Sequence, residues 1–161
     1  MNKHVKSIQR TSRICLWGSV AVVILTVAFI YSPWRFYNSD QAARWMTVSG
    51  TVLAVLAVSM TLLTVRRNIP HLRQKDDLEQ KLSGYATHVR QLYKSMFGVV
   101  AVLCLFTLLS SRSVVLMLAM VSTLVLFLNF PNMYRVKVDL GLTDDQMRSL
   151  YGDRYIAGNE E

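Results

Sequence analysis

Two pairs of adjacent carboxylates, Asp76-Asp77 and Asp144-Asp145, have the type and spacing that could hold Mg²⁺ for phosphoryl chemistry. Each pair also sits where a helix would begin, and a carboxylate in a first turn is stabilised by the positive end of the helix dipole. No further ligands stand at metal-binding spacing, so no metal is assigned. Met117 and Met120 could offer thioethers to copper, but they lie in an apolar run and read as packing residues. The three histidines, His4, His71 and His88, all fall outside the apolar runs, which disfavours a haem held between two membrane histidines. Cys15 and Cys104 form no Cys-x-x-Cys pair, and they lie at depths too different for a disulfide. A zinc helix, a nucleophile elbow and a phosphate loop are likewise absent from the sequence. No catalytic, cofactor-binding or metal-ligating residue is assigned, and the chain is read as non-enzymatic.

The elements that would position any site are dictated by where the apolar residues fall. Of 161 residues 52% are hydrophobic, and they collect in four runs between consecutive charges, at 14–34, 45–65, 95–111 and 113–134. A bilayer core of about 30 Å takes roughly 20 helical residues, with about 17 as a minimum. In lipid, a segment must satisfy its own backbone, so each run is read as a helix. The expected fold is an all-α polytopic membrane protein forming a single domain over 1–161. Its spans are expected at about 14–32, 45–66, 95–111 and 113–130, with a cytoplasmic helix over about 70–94 and a cytoplasmic tail over 131–161.

The formal charge of +8 could suggest nucleic acid, but its distribution gives a simpler reading. Fifteen lysines and arginines precede the first span, separate the second from the third, or follow the fourth; only Arg35, Arg44 and Arg112 lie on the other side. The positive-inside rule puts both termini in the cytoplasm, and no nucleic-acid partner is expected. After Ala28 the sequence continues Phe-Ile-Tyr instead of offering a small-x-small cleavage site, so the first span is expected to be a retained anchor. Tyr31, Trp34, Phe36, Tyr37 and Trp45 mark the outer interface, with Pro33 stopping the first helix and Asn38 or Ser39 capping the second.

Two seams stand out. In the second span the small residues Thr47, Gly50, Ala54, Ala57, Thr61 and Thr64 recur at spacings of 3 and 4, which suits close helix packing; the alternative is that the threonines line a polar path. After Pro70, a new helix is expected to start, with Asp77 and Lys81 as an i,i+4 pair and Gly84 as a weak point where it bends. Along it Leu78, Leu82, Tyr85, Val89, Leu92 and Met96 form a heptad stripe that continues in phase into the third span, so the two are expected to make one rod. This is the interaction seam: its apolar side chains need a cover from a second protomer, a partner, the lipid surface, or the chain's own Met147, Leu150 and Tyr151.

Ser110 to Ser113 allows only a tight hairpin between the third and fourth spans. In the fourth, Ala119, Ser122 and Asn129 share a face, so Asn129 is expected to turn toward protein before Pro131 interrupts the helix. Residues 132–142 alternate like a strand, yet a lone strand has no partner here, and a short helix closed by Gly141 is preferred. Thr143 with Gln146 makes a capping box and Leu142 with Met147 a hydrophobic staple, starting a helix that ends at Gly152.

The layout of two membrane hairpins around a basic loop carrying Leu78-x3-Leu82-x2-Tyr85, with the tail motif Asp139-Leu-Gly-Leu-Thr-Asp-Asp, resembles small uncharacterised four-span inner-membrane proteins of Bacteroidota. The resemblance implies a bacterial inner-membrane setting and no activity. The functional expectation is a non-enzymatic membrane interaction or accessory subunit without cofactor, working as a homo-oligomer or with another membrane protein. The alternative is a small oligomeric transporter or exporter whose path is lined by polar faces instead of charges.

Overall fold

The structure is a computed structural model that describes residues 3–31, 40–75, 77–110 and 112–152, apart from the side chains of Leu62, Val65 and Arg66. The expected caps Asn38 and Ser39, the aromatics Trp34, Phe36 and Tyr37, the stop at Pro33, and Asp76 lie outside the described residues.

Six helices account for nearly all the described chain: α1 (Lys3–Ile30), α2 (Asp40–Arg73), α3 (Leu78–Ser110), α4 (Ser113–Leu128), α5 (Met133–Leu140) and α6 (Asp144–Tyr151). The fold is all-α, as composition and run lengths required. Three of the helices, α1, α2 through Thr61, and α3, are long and apolar enough to cross a membrane. α4 has 16 residues and reaches only about 24 Å at 1.5 Å per residue. It meets α5 at 76°, and the two pass the same length-and-composition test only as one bent pair.

α3 is the rod that the heptad stripe implied, uninterrupted over 33 residues or about 50 Å. α1, α2 and α4 all pack against it, α1 most extensively. The face α1 uses is Val5, Ile8, Ser12, Leu16, Ser19, Val23 and Thr26, again at spacings of 3 and 4. The hydroxyls of Ser19 and Thr26 are turned back onto their own helix, donating to the carbonyls of Cys15 and Val22, which leaves a thin surface for the neighbour. Gly18 completes the close approach, since a Cβ there would stand 3.0 Å from Phe97.

The boundary between α2 and α3 corrects one expectation. The new helix begins at Leu78, not at Pro70: α2 runs through Pro70 to Arg73 before the chain turns. Proline in a helix removes one N–H and crowds the carbonyl four residues back. Here it stands exposed within the last turn, where only one helical bond is forgone and no long segment has to follow. α3 starts instead with Asp77, whose carboxylate accepts from the Glu79 N–H at 3.0 Å and whose carbonyl accepts from the Lys81 N–H. Asp77 is thus used as a cap, and no ion pair joins it to Lys81 among the described residues.

Gly84 is no weak point. A Cβ there would lie 2.6 Å from Leu72 Cδ2, so the missing side chain is what lets the end of α2 close on the start of α3. The tail is helical, with Gly141 in the left-handed region at φ 60° closing α5, and the Thr143–Gln146 capping box is formed in both directions.

Two separate cores result. One, the head, gathers Val5 and Ile8 of α1, Leu72 of α2, Leu82, Tyr85 and Ala86 of α3, and the tail residues Val136, Leu140, Leu142, Met147, Leu150 and Tyr151. The other lies in the apolar bundle, where Val23, Ala54, Val100, Leu103, Val115 and Ala119 meet. A smaller cluster of Leu16, Tyr93, Met96 and Leu126 connects them.

Candidate functional site

Where the head joins the bundle, α4 ends beside α2 and α3, and the physical problem there is four unsatisfied carbonyls. All four are answered. Val125 accepts from the Asn129 backbone and from its side-chain amide at 2.7 Å, and Phe127 accepts from the Phe130 N–H. Leu126 accepts from the buried Tyr93 hydroxyl at 2.9 Å, and Leu128 from the Arg135 guanidinium at 2.7 Å. Pro131 has no N–H to offer, so side chains from α3 and α5 supply what the following backbone cannot.

Arg135 is the centre of this clasp. Besides the Leu128 carbonyl it donates to Asn129 Oδ1 at 2.7 Å and lies 3.6 Å from the Asp139 carboxylate. Asp139 Oδ2 also accepts from the Tyr85 hydroxyl at 2.9 Å. From the opposite side, Arg73 at the end of α2 donates through Nε to the Asp139 carbonyl at 2.9 Å and through its other nitrogen to the Val138 carbonyl. A cation over the last carbonyls of α5 is the favoured partner for that end of a helix dipole. Arg90 reaches Ser7 of α1, and Lys137 pairs with Asp144 at 2.6 Å. Every helix of the head is thereby tied to another by at least one polar bond. Three polar atoms are exceptions: the Tyr151 hydroxyl, Ser12 Oγ and Arg90 Nε are buried with no partner among the described residues, and burial pushes the Tyr151 pKa up to about 12.

Between α2, α3 and this clasp lies a cavity of about 40 Å³, bordered by Thr64, Asn68, Tyr85, His88, Asn129 and Arg135. It has space for a few waters and no more. It opens toward a larger groove of about 490 Å³ between α2 and α3. Thr64, Asn68, His88 and Leu92 border both. The groove runs from Leu53, Leu56 and Met60 at its apolar end, past Ala57, Thr61 and Val99, to Asn68, His88, Gln91 and Ser95 at the head end.

The small-residue seam of α2 therefore divides in two. A Cβ at Gly50 would meet Leu103, Phe106 and Val115 at 3.4–3.5 Å, and Ala54 is buried in the bundle core. Ala57, Thr61 and Thr64 also border the groove: Ala57 does so while packing against the bundle core and the connecting cluster, and Thr61 is buried with its hydroxyl bonded back to the Ala57 carbonyl. Thr47, at the start, is half-buried and likewise bonds back to Ala43. The heptad stripe of α3 is placed against its own chain. Leu82, Tyr85 and Met96 are buried, Leu78 and Val89 border the head core, and Leu92 packs beside Tyr93 and Met96.

The cover combines the tail residues Met147, Leu150 and Tyr151 with Val5 and Ile8 of α1. The α1 contribution was missed from sequence because Lys3, Lys6, Arg10 and Arg13 surround it; the 3-and-4 spacing of Val5, Ile8, Ser12 and Leu16 was the available signal. Arg135, Tyr93 and Arg73 were missed as well, since helix-end carbonyls announce no partner in sequence. Asn129 does turn toward protein, and Ala119 and Ser122 are buried on its face. Cys15 and Cys104 are free thiols. Asp145 and Asp144 sit in the first turn of α6, and the described residues contain no group of three or more His, Cys, Asp or Glu that could hold a metal. No protein-family model, curated protein or solved structure matches the chain.

Proposed function

We propose that the chain is a non-enzymatic subunit of a bacterial inner membrane, with four spans and both termini cytoplasmic, acting through contacts made inside the bilayer. The observation that carries this reading is the fate of the polar groups at the neck. Arg135, Asp139, Tyr85, Tyr93 and Asn129 are all engaged in ending α4 or holding α5, which leaves that cluster occupied with structure. The stripe on α3 is covered from within, so a partner has to meet the protein elsewhere. Large apolar side chains are exposed on α1, α2 and α4 alike; the partner face proposed is that of α2, where Trp45, Val48, Val52 and Val55 are exposed side by side at helical spacing. α1, α2 and α3 supply three spans, and the bent α4–α5 pair supplies the fourth, its α5 part lying along the membrane surface with the head.

Topology is tested first. A cysteine replacing Asp40 or Arg112 is expected to react with impermeant reagents from outside intact cells, and one replacing Asp77 is not; the reverse pattern would remove the four-span reading with its orientation. Association is tested by Val52→Cys and Leu82→Cys in native membranes. Disulfide-linked species are expected through position 52 and not through the buried position 82. Linkage at neither position, nor at Val48 or Val55, would sink the subunit reading.

One observation favours the second reading, a small transporter: Thr61, Thr64 and Asn68 border an open groove. The four apolar runs contain no ionisable side chain of the kind that couples solute movement to protons. Proteoliposomes under a proton gradient are expected to show no solute uptake; reproducible uptake would put the transporter ahead.

A further inference from the structure

The polar residues at the head end of the α2–α3 groove behave differently from those of the clasp. Asn68, His88, Gln91 and Ser95 converge there, and none of them makes a side-chain hydrogen bond among the described residues. They are open to a ligand. The groove is graded: from Leu53, Leu56 and Met60 to these four residues it changes from aliphatic to hydrogen-bonding along the direction in which a bilayer changes from acyl chain to headgroup. No carboxylate borders it.

Cations stand at the polar end. Gln91 and Ser95 also border a shallow recess on the outside of α3 that includes Arg90 and Lys94. On α2 the exposed Arg67 follows Met60 by seven residues and so lies on the same side of the helix. Arg67 thus stands at the groove's edge, and Lys94 stands across the recess from it, on the side of α3 toward Cys15 of α1, so that both contribute positive potential at the polar end. The volume of about 490 Å³ is in the range of small-molecule sites, roughly 300–1,000 Å³.

We infer that this groove binds one anionic phospholipid of the cytoplasmic leaflet. An acyl chain lies along Leu56, Met60 and Val99, the headgroup is hydrogen-bonded by Asn68, His88 and Gln91, and Arg67 and Lys94 favour its negative charge. A transmembrane helix of another protein is a poorer occupant, because it would bring a continuous apolar surface to the end where the unbonded polar side chains collect. The inference rests on the membrane setting proposed above and is independent of the partner face on the other side of α2.

The test is native mass spectrometry of the full chain after exchange into detergent with phosphatidylglycerol and phosphatidylcholine in equal amounts. Wild type is expected to retain one phosphatidylglycerol in preference to phosphatidylcholine. Two surface cations confer on the order of tenfold selectivity for an anionic head. Arg67→Gln with Lys94→Gln, both solvent-facing changes, should remove the preference while a lipid is still retained. Ser95→Trp, which places an indole in the groove from an exposed position, should lower retention of either lipid, and Val52→Trp on the opposite face should not. Retention that is indifferent to headgroup and unchanged by Ser95→Trp would mean a general lipid belt and overturn the proposal. So would crosslinks from Ser95→Cys to a second polypeptide in place of lipid. If the topology labelling holds while these arms fail, the groove inference alone is lost; if the labelling fails, both are.

Discussion

The head and the α2–α3 groove share two helices, α2 and α3, yet they solve opposite packing problems. In the head, α2 and α3 converge until only Gly84 fits opposite Leu72, and the seam of α3 is closed over by α1, α5 and α6. A few turns further along, the same helices leave about 490 Å³ between them. The difference follows from what each stretch offers. Leu82, Tyr85 and Ala86 meet the large side chains Leu140, Met147, Leu150 and Tyr151, which fill space and exclude water. Ala57, Thr61 and Thr64 offer short side chains toward Ser95 and His88, and nothing of comparable size from α4 or α5 reaches in to fill the gap. Small residues permit close approach, but they enforce it only where the neighbour is also shaped to come close, as it is around Gly50 and Ala54.

If the head is a filled core and the groove an unfilled space, a charge placed in the head should have the largest effect. Leu82 is fully buried among residues of α1, α3 and the tail. Leu82→Asp would bury a carboxylate with no counter-ion, at a cost of about 3–5 kcal/mol. The expected outcome is loss of protection in α5 and α6, read by hydrogen exchange or limited proteolysis, with membrane insertion retained because the apolar runs are unchanged. An intact, protected tail in this variant would show that α5 and α6 are not held on the α3 stripe.

The two halves of the α2 seam give the second contrast. Ala54→Leu adds three carbons at a site that is 5% exposed in the bundle core, and overpacking of that kind costs about 1–3 kcal/mol. Thr64→Phe adds four heavy atoms, no fewer than Ala54→Leu, at the groove edge, where the side chain can extend into open space, and should stay within about 0.5 kcal/mol. Denaturant unfolding of the detergent-solubilised protein measures both. Equal losses would mean that the groove is closed in solution.

How far these differences could be read from the sequence depends on the range of the interactions that cause them. The α3 rod was legible because its stripe repeats over six positions and runs in phase into an uncharged segment, a pattern local to one helix. The caps at Thr143 and Gly141 were legible for the same reason, since each lies within a few residues of the groups it satisfies. Pro70 misled because the rule against helical geometry before proline is local, whereas the actual end of α2 is set by Leu72 packing into the head and Arg73 holding α5. The small-residue seam was visible as a list of side chains. Its division into a packed half and a groove half was not, because that depends on how α3 and α4 stand relative to α2. The same holds for Tyr93 and Arg135, whose roles exist only because α4 ends within their reach.

Two glycines of α3 provide the finest test, because the two regions predict opposite signs for the same substitution. Glycine in a helix interior costs about 1 kcal/mol relative to alanine, so Gly→Ala stabilises wherever the added methyl meets nothing. At Gly98, in the apolar part of α3, nothing beyond its own turn of helix lies within 4 Å of the Cβ position, and Gly98→Ala should raise stability by up to that amount. At Gly84 the new methyl would stand 2.6 Å from Leu72 Cδ2. Leu72 is itself buried in the head core, so it can yield only by disturbing its own neighbours. The overpacking should exceed the gain in helix propensity, and Gly84→Ala should lower stability by about 1 kcal/mol. A Leu72→Ala background separates the causes: with the clashing side chain gone, Gly84→Ala should become stabilising like Gly98→Ala. If Gly84→Ala stabilised the otherwise unchanged protein, the close approach of α2 and α3 in the head would be wrong, and the contrast with the open groove would lose its basis.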